Sequence, residues 1–88
     1  VIALRLSVHG RVQGVFYRNW TVATARQLGL AGWVRNCDDG SVEALIQGEE
    51  AEVRHMVALM HDGPRAARVE RIEELETAPE TLTGFVRR

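Results

Sequence analysis

The residues best placed to do chemistry lie in one run, His9-Gly10-Arg11-Val12-Gln13-Gly14-Val15-Phe16-Tyr17-Arg18. Two glycines bracket the run, so its main chain is free to take conformations that a side chain forbids. The run ends in an arginine where a helix is expected to start. Free N–H groups and the positive end of the helix dipole favour an anion there and disfavour a cation, so an arginine at that place needs a reason. A nest of main-chain N–H groups plus a guanidinium fork is sufficient to hold a phosphate or a carboxylate. Gly10 and Gly14 also serve as plain turn residues, and the two readings agree, because a cradle needs close main-chain approach. Arg11 reads as a solvated loop charge. Gln13 either orients the loop or is solvated.

No other group of side chains competes with this run. His55 and His61 are six positions apart, which does not place them on one helix face as a metal pair requires. His61 is more simply a dipole partner at a helix end, and His9 precedes the loop it is placed to stabilise. With one cysteine, Cys37, neither a metal site nor an intramolecular disulfide is expected. Cys37 has no neighbouring base in sequence and reads as a small half-buried residue. Asp38 and Asp39 form a hairpin turn with Gly40 before they form a carboxylate pair. Asn36, just ahead of them, is by itself ordinary turn chemistry. Trp33, Met56 and Met60 are expected in the core.

Composition narrows the function classes. Eighty-eight residues make one domain, 1–88. Eleven basic against twelve acidic side chains give a net charge of −1. That balance argues against nucleic acid as a partner and against a polybasic membrane-surface protein. No apolar run approaches the ~20 residues of a membrane-spanning helix, and Val1 to Arg5 has no signal-peptide pattern. A small domain without disulfides suits a reducing compartment, so a cytoplasmic location is expected. A monomer is the expected state.

Periodicity supplies the elements that must position the loop. Ile2, Leu4, Leu6 and Val8 alternate with Ala3, Arg5, Ser7 and His9, a strand with one apolar face. From Tyr17 or Arg18 to Leu28 the pattern is helical, with Val22, Ala25 and Leu28 as the apolar stripe, Thr21 beside it and Gly29 as the stop. Trp20 falls off that stripe, either exposed or in contact at the other flank. Leu30 to Asn36 and Ser41 to Gln47 read as an antiparallel pair joined through Asp39-Gly40. Glu49 to His61 is a second helix whose stripe is Val53, Met56, Val57 and Met60, ended by Gly63-Pro64. Ala67 to Glu76 reads as a strand in which Val69 and Ile72 are out of phase, which predicts a bulge or a change of the buried face. Thr77 to Thr83 is loop, and Phe85 to Arg88 a short terminal strand or tail. The order strand, helix, strand, strand, helix, strand predicts an α+β sandwich. Two helices would pack on one face of an antiparallel sheet of four or five strands.

Gly10 to Arg18 resembles the acylphosphatase signature. Leu28-Gly29-Leu30-Ala31-Gly32-Trp33-Val34-Arg35-Asn36 resembles that family's second motif, and Asp39-Gly40-Ser41-Val42-Glu43 continues the match. The resemblance runs on through Gly48, Val53 and Gly63-Pro64 and thins after Val69, so the C-terminal third adds little to it. It implies a ferredoxin-like fold and hydrolysis of acyl phosphates to a carboxylate and inorganic phosphate, with no metal, no cofactor and no covalent phosphoenzyme. It places the catalytic residues on Arg18 and Asn36. The phosphate-binding loop falls on Gln13, Gly14, Val15, Phe16, Tyr17 and Arg18. Phe16-Tyr17 departs from the Phe-Phe or Gly-Phe of many members, a change expected to affect packing rather than chemistry.

The implied chemistry is physically coherent. The leaving group is a weakly basic carboxylate, and a loose transition state spreads charge over the phosphoryl oxygens, so positioning and electrostatics do most of the catalysis. Arg18 would grip two oxygens, the loop amides the rest, and Asn36 would hold the attacking water. Three other readings are weighed. A sheet-based RNA-binding module lacks its aromatic platform on the strands that carry Arg5, Ser7 and His9 or Ser41, Glu43 and Leu45. A phosphatase of ordinary monoesters lacks a two-metal cluster or a Cys/Arg loop. The third is a non-catalytic phosphate-binding module, or a domain excised from a carbamoyl-phosphate-handling hydrogenase-maturation enzyme.

Overall fold

Leu4, Leu6 and Val8 are all buried on one face of the first strand, as their alternation requires. They lie in a computed structural model that describes residues 1–88. Its elements are β1 (Ile2–Arg11), α1 (Tyr17–Gln27), β2 (Ala31–Asn36), β3 (Val42–Gly48), α2 (Glu50–Asp62), β4 (Arg68–Thr77) and β5 (Phe85–Arg87). The sheet order is β4-β1-β3-β2-β5. β3 is antiparallel to both β1 and β2, so β1 and β2 run parallel to each other. No helix is long and apolar enough to cross a membrane.

The sheet is mixed rather than purely antiparallel. β5 pairs with β2 in parallel, with Gly32 opposite Phe85 and Val34 opposite Arg87. β4 ends beside the start of β1, and the loop of residues 78–84 crosses that end of the sheet to the other edge, so β5 begins beside the start of β2 and runs with it. The loop's course is held by the Gln47 carboxamide, which donates to the Glu80 carbonyl and accepts from the Glu80 N–H.

Two faces of the sheet are covered differently. The main core packs Leu6, Val34, Ile46 and Phe85 against the α2 stripe Val53, Met56, Val57 and Met60, all buried. Trp33, expected in that core, is on the opposite face, because it alternates with Val34. There it packs with Ala3, Leu45 and Leu82. The guanidiniums of Arg88, Arg5 and Arg35 lie 4.5, 5.5 and 5.8 Å from its ring centre. Trp33 is thus buried under arginines, a cation–π arrangement.

In α1 the buried line is Tyr17, Thr21 and Ala25, not Val22, Ala25 and Leu28. Polarity hid this stripe: Thr21 is fully buried because its hydroxyl donates to the Tyr17 carbonyl at 2.8 Å. Val22 and Leu28 pack at the margins, and Trp20 makes a flank contact, its ring 5.7 Å from that of Tyr17. The bulge expected in β4 is present. His9 faces Arg71 and Gly10 faces Val69, leaving Glu70 unmatched. At Gly10 (φ 130°) a Cβ would come 2.1 Å from the Arg68 carbonyl oxygen, so the close approach needs glycine.

Tyr17 joins the two helices. Its hydroxyl donates to the Met60 carbonyl at 2.7 Å. That carbonyl is four residues before Pro64, which has no N–H to give it, so the phenol replaces the missing helical donor. Burial pushes the phenol's pKa well above its ordinary value. Tyr17→Phe is expected to lower stability by about 1–2 kcal/mol in urea unfolding. A raised folded pKa means that the phenol's contribution is full below its unfolded pKa of about 10 and is lost as pH rises beyond it. Tyr17 is the only tyrosine, so tyrosinate absorbance in an alkaline titration should appear only as the chain unfolds.

Candidate active site

Parallel strands carry their C-terminal ends to the same sheet edge. β1 ends at Arg11, β2 at Asn36 and β5 at Arg87, and α1 begins over that edge. A cleft of about 240 Å³ opens there. It is lined by Val12, Gly14, Phe16, Tyr17, Arg18 and Asn19 of the loop and α1, by Asn36 at the end of β2 and by Arg87 at the end of β5. No carboxylate lines it.

The loop between β1 and α1 forms a nest. Gly14 has φ 73° and Phe16 φ 63°, with Val15 between them on the ordinary side. Alternation of this kind turns successive N–H groups inward. The N–H groups of Gly14, Val15 and Phe16 meet no protein acceptor, nor do those of Tyr17, Arg18 and Asn19, the helical ladder beginning with the Trp20 N–H on the Phe16 carbonyl. Phe16 is not glycine, so its left-handed conformation costs about 1 kcal/mol. Its side chain is 78% exposed at the mouth of the cleft.

Arg18 sits in the first turn of α1, and its Nη1 donates to the Arg88 main-chain oxygen at 3.2 Å. No Asp or Glu lies within ion-pair distance of it. Asn36 also lines the cleft, and its Oδ1 is buried without a hydrogen-bond partner in the chain, as is the Thr77 hydroxyl elsewhere in the fold.

The expected loop residues divide by role. Gln13 and Val15 do not line the cleft. Val15 is buried in the core. The Gln13 Nε2 donates to the carbonyls of Cys37 and Ser41, each at 2.8 Å. Gln13 therefore orients the loop, tying the nest to the turn that carries Asn36. That turn is closed by the Cys37 N–H donating to the Ser41 carbonyl and by Asp39, whose Oδ1 accepts from the Ser41 N–H and Oγ. The same two bonds hold the Asp39 carboxyl below its ordinary pKa. His9 pairs with Glu73 of β4 at 2.8 Å.

The sequence reading missed Asn19 and Arg87. Arg87 lies opposite Val34, on the helix-facing side of β5, and its Nη1 donates to the Asn19 Oδ1 at 3.0 Å. The alternation of buried Phe85 with exposed Val86 was the available signal for its direction. The C-terminal third therefore does contribute to the cleft.

Fold and cleft together define a class, a split β-α-β-β-α-β domain with an anion nest at one sheet end. The comparisons specify the family. The acylphosphatase family model matches residues 4–87. An acylphosphatase of Rhodospirillum rubrum is 50% identical over 82 residues, 93% of this chain and 90% of that protein. The crystal structure of acylphosphatase from Bacillus subtilis matches with a TM-score of 0.97 at 35% identity, over 100% of this chain and 99% of that one. HypF of Thermococcus kodakarensis matches with a TM-score of 0.88 at 28% identity, over 100% of this chain but 12% of that one. The chain belongs to the acylphosphatase family, and its class of enzyme is that of the acid-anhydride hydrolases acting on acyl phosphates.

Gln13→Ala is expected to lower kcat on an acyl phosphate by about 10- to 100-fold, because it frees the nest from the Asn36 turn. Inorganic phosphate affinity, read by calorimetry, should fall far less. A kcat within about twofold of the parent would show that the tie does not position the two halves.

Proposed function

We propose that this chain hydrolyses the carboxyl–phosphate anhydride by direct attack of water on phosphorus, with Arg18 and Asn36 as the catalytic residues. The observation that carries the reading is the meeting, in one cleft, of loop N–H groups with no protein acceptor, the Arg18 guanidinium with no carboxylate beside it, and the Asn36 carboxamide.

The phosphoryl group binds with its oxygens on the Gly14 to Arg18 amides and two of them on the Arg18 fork. A water is held by the Asn36 carboxamide with an oxygen lone pair directed at phosphorus. As the new O–P bond forms, the bond from phosphorus to the acyl oxygen breaks, and its electron pair departs with the carboxylate. The water's proton passes to a phosphoryl oxygen, since Asn36 is not a base. Charge grows on the equatorial oxygens, where the donors already point, so little reorganisation accompanies the step. The products are a free carboxylate and inorganic phosphate.

No metal or cofactor is required by this scheme. The same reading has the chain acting as a cytoplasmic monomer on a small diffusible acyl phosphate, without a nucleic-acid or membrane partner. A domain from a larger carbamoyl-phosphate-handling enzyme has no better support.

The test is hydrolysis of benzoyl phosphate and carbamoyl phosphate by the pure chain, with and without chelator. Turnover should be unchanged by chelator, and activity that disappears with chelator and returns with metal would overturn the scheme. Arg18→Ala should lose activity on the order of 10³-fold and bind phosphate weakly. Asn36→Ala should lose about 10²-fold or more in kcat and keep its phosphate affinity within about threefold. Near-normal turnover by Asn36→Ala would remove the water-positioning role.

A further inference from the structure

We infer that Arg87, held by Asn19, selects acyl phosphates that carry a second anionic group on the acyl moiety. The inference rests on the hydrolytic reading above, because it uses the direction of attack.

In-line displacement puts the leaving group opposite the nucleophile. In that reading the water is held by Asn36, which is half-buried and so lies deeper in the cleft than its exposed lining residues. The acyl group therefore points away from Asn36, out toward the rim of the cleft. The rim is made by its exposed lining residues, chiefly Phe16, Asn19 and Arg87. Phe16 offers an aromatic face to any acyl group, whereas Arg87 discriminates by charge.

Three features fit Arg87 to that task. It faces no Asp or Glu within ion-pair distance, and no carboxylate lines the cleft. Its one protein acceptor is the neutral Asn19 carboxamide at 3.0 Å, which orients the guanidinium without neutralising it. A guanidinium has five N–H donors in a planar fork, so the remainder are free for a bidentate carboxylate or phosphate. The base of the side chain is also fixed. β5 is anchored by buried Phe85, whose carbonyl accepts from the Arg26 Nε at 3.1 Å, and by the Arg88 N–H donating to the Val34 carbonyl. Arg18, by contrast, projects from the nest itself and serves the phosphoryl oxygens.

The experiment compares kcat/KM for benzoyl phosphate with those for 3-carboxybenzoyl and 4-carboxybenzoyl phosphate. The three share the ring that meets Phe16 and differ in the added carboxylate. The parent chain should prefer at least one carboxylated substrate by about fivefold at low ionic strength, a preference that shrinks with added salt. Arg87→Gln should abolish the preference, Arg87→Lys retain part of it, and Asn19→Ala weaken it. The inference is overturned if the parent shows no preference, or if the preference survives Arg87→Gln. It is also overturned if Arg87→Gln lowers all three substrates equally and in step with inorganic phosphate affinity, since Arg87 would then be a phosphoryl ligand. Hydrolysis of none of the three by the parent would instead sink the hydrolytic reading on which the inference rests.

Discussion

The site depends on a constraint of strand direction. Three strands, β1, β2 and β5, run the same way, although β3 lies between the first two. Each delivers its C-terminal end to one edge of the sheet, and each end carries a different part of the cleft. β1 leads into the nest, β2 presents Asn36 and β5 presents Arg87. Alternation along the strands then decides which side chains face the helices. Asn36 and Val34 share that side, and so do Phe85 and Arg87. An antiparallel β5 would have sent Arg87 to the far end of the molecule.

Rigidity at this edge is supplied by polar ties rather than by burial alone. The Gln13 carboxamide holds the nest to the β2–β3 turn through two carbonyls. The Tyr17 phenol holds the start of α1 to the end of α2. Between these ties the chain retains unfavourable features: a left-handed Phe16, free N–H groups and an orphaned Asn36 oxygen. Each costs on the order of 1 kcal/mol, and the core that packs the sheet on α1 and α2 offsets them. All three lie at the cleft between the β1–α1 loop and the end of β2, which is where the proposed reaction is placed.

Much of this was legible in the sequence, for identifiable reasons. Period-two alternation located β1 and β3, the Val53-Met56-Val57-Met60 stripe located α2, and the phase break between Val69 and Ile72 located the bulge. Arg18 stood out because a cation at a helix start is unfavourable without an anion. The parts that stayed hidden depend on pairing or on a partner far away in sequence. The Thr21 position on the α1 stripe is concealed by its polarity and explained by a hydrogen bond to Tyr17. Trp33 reads as core until the strand's phase puts it under three arginines, one of them Arg88, the residue after β5. The direction of β5 follows from the path of a polar loop whose anchor, Gln47 to Glu80, has no local pattern. Asn36 was distinguishable from a turn residue only through its resemblance to a family motif, and the fold places it in the same cleft as Arg18.

The central claim is that the nest fixes phosphorus while Asn36 aims water at it, so the bond made is to phosphorus and not to the acyl carbon. Hydrolysis of benzoyl phosphate in water enriched in the heavy oxygen isotope tests this directly, with both products analysed by mass. The account predicts one heavy oxygen in the inorganic phosphate and none in the benzoate. Label in the benzoate would mean attack at the carbonyl carbon and would contradict the division of roles between the nest and Asn36.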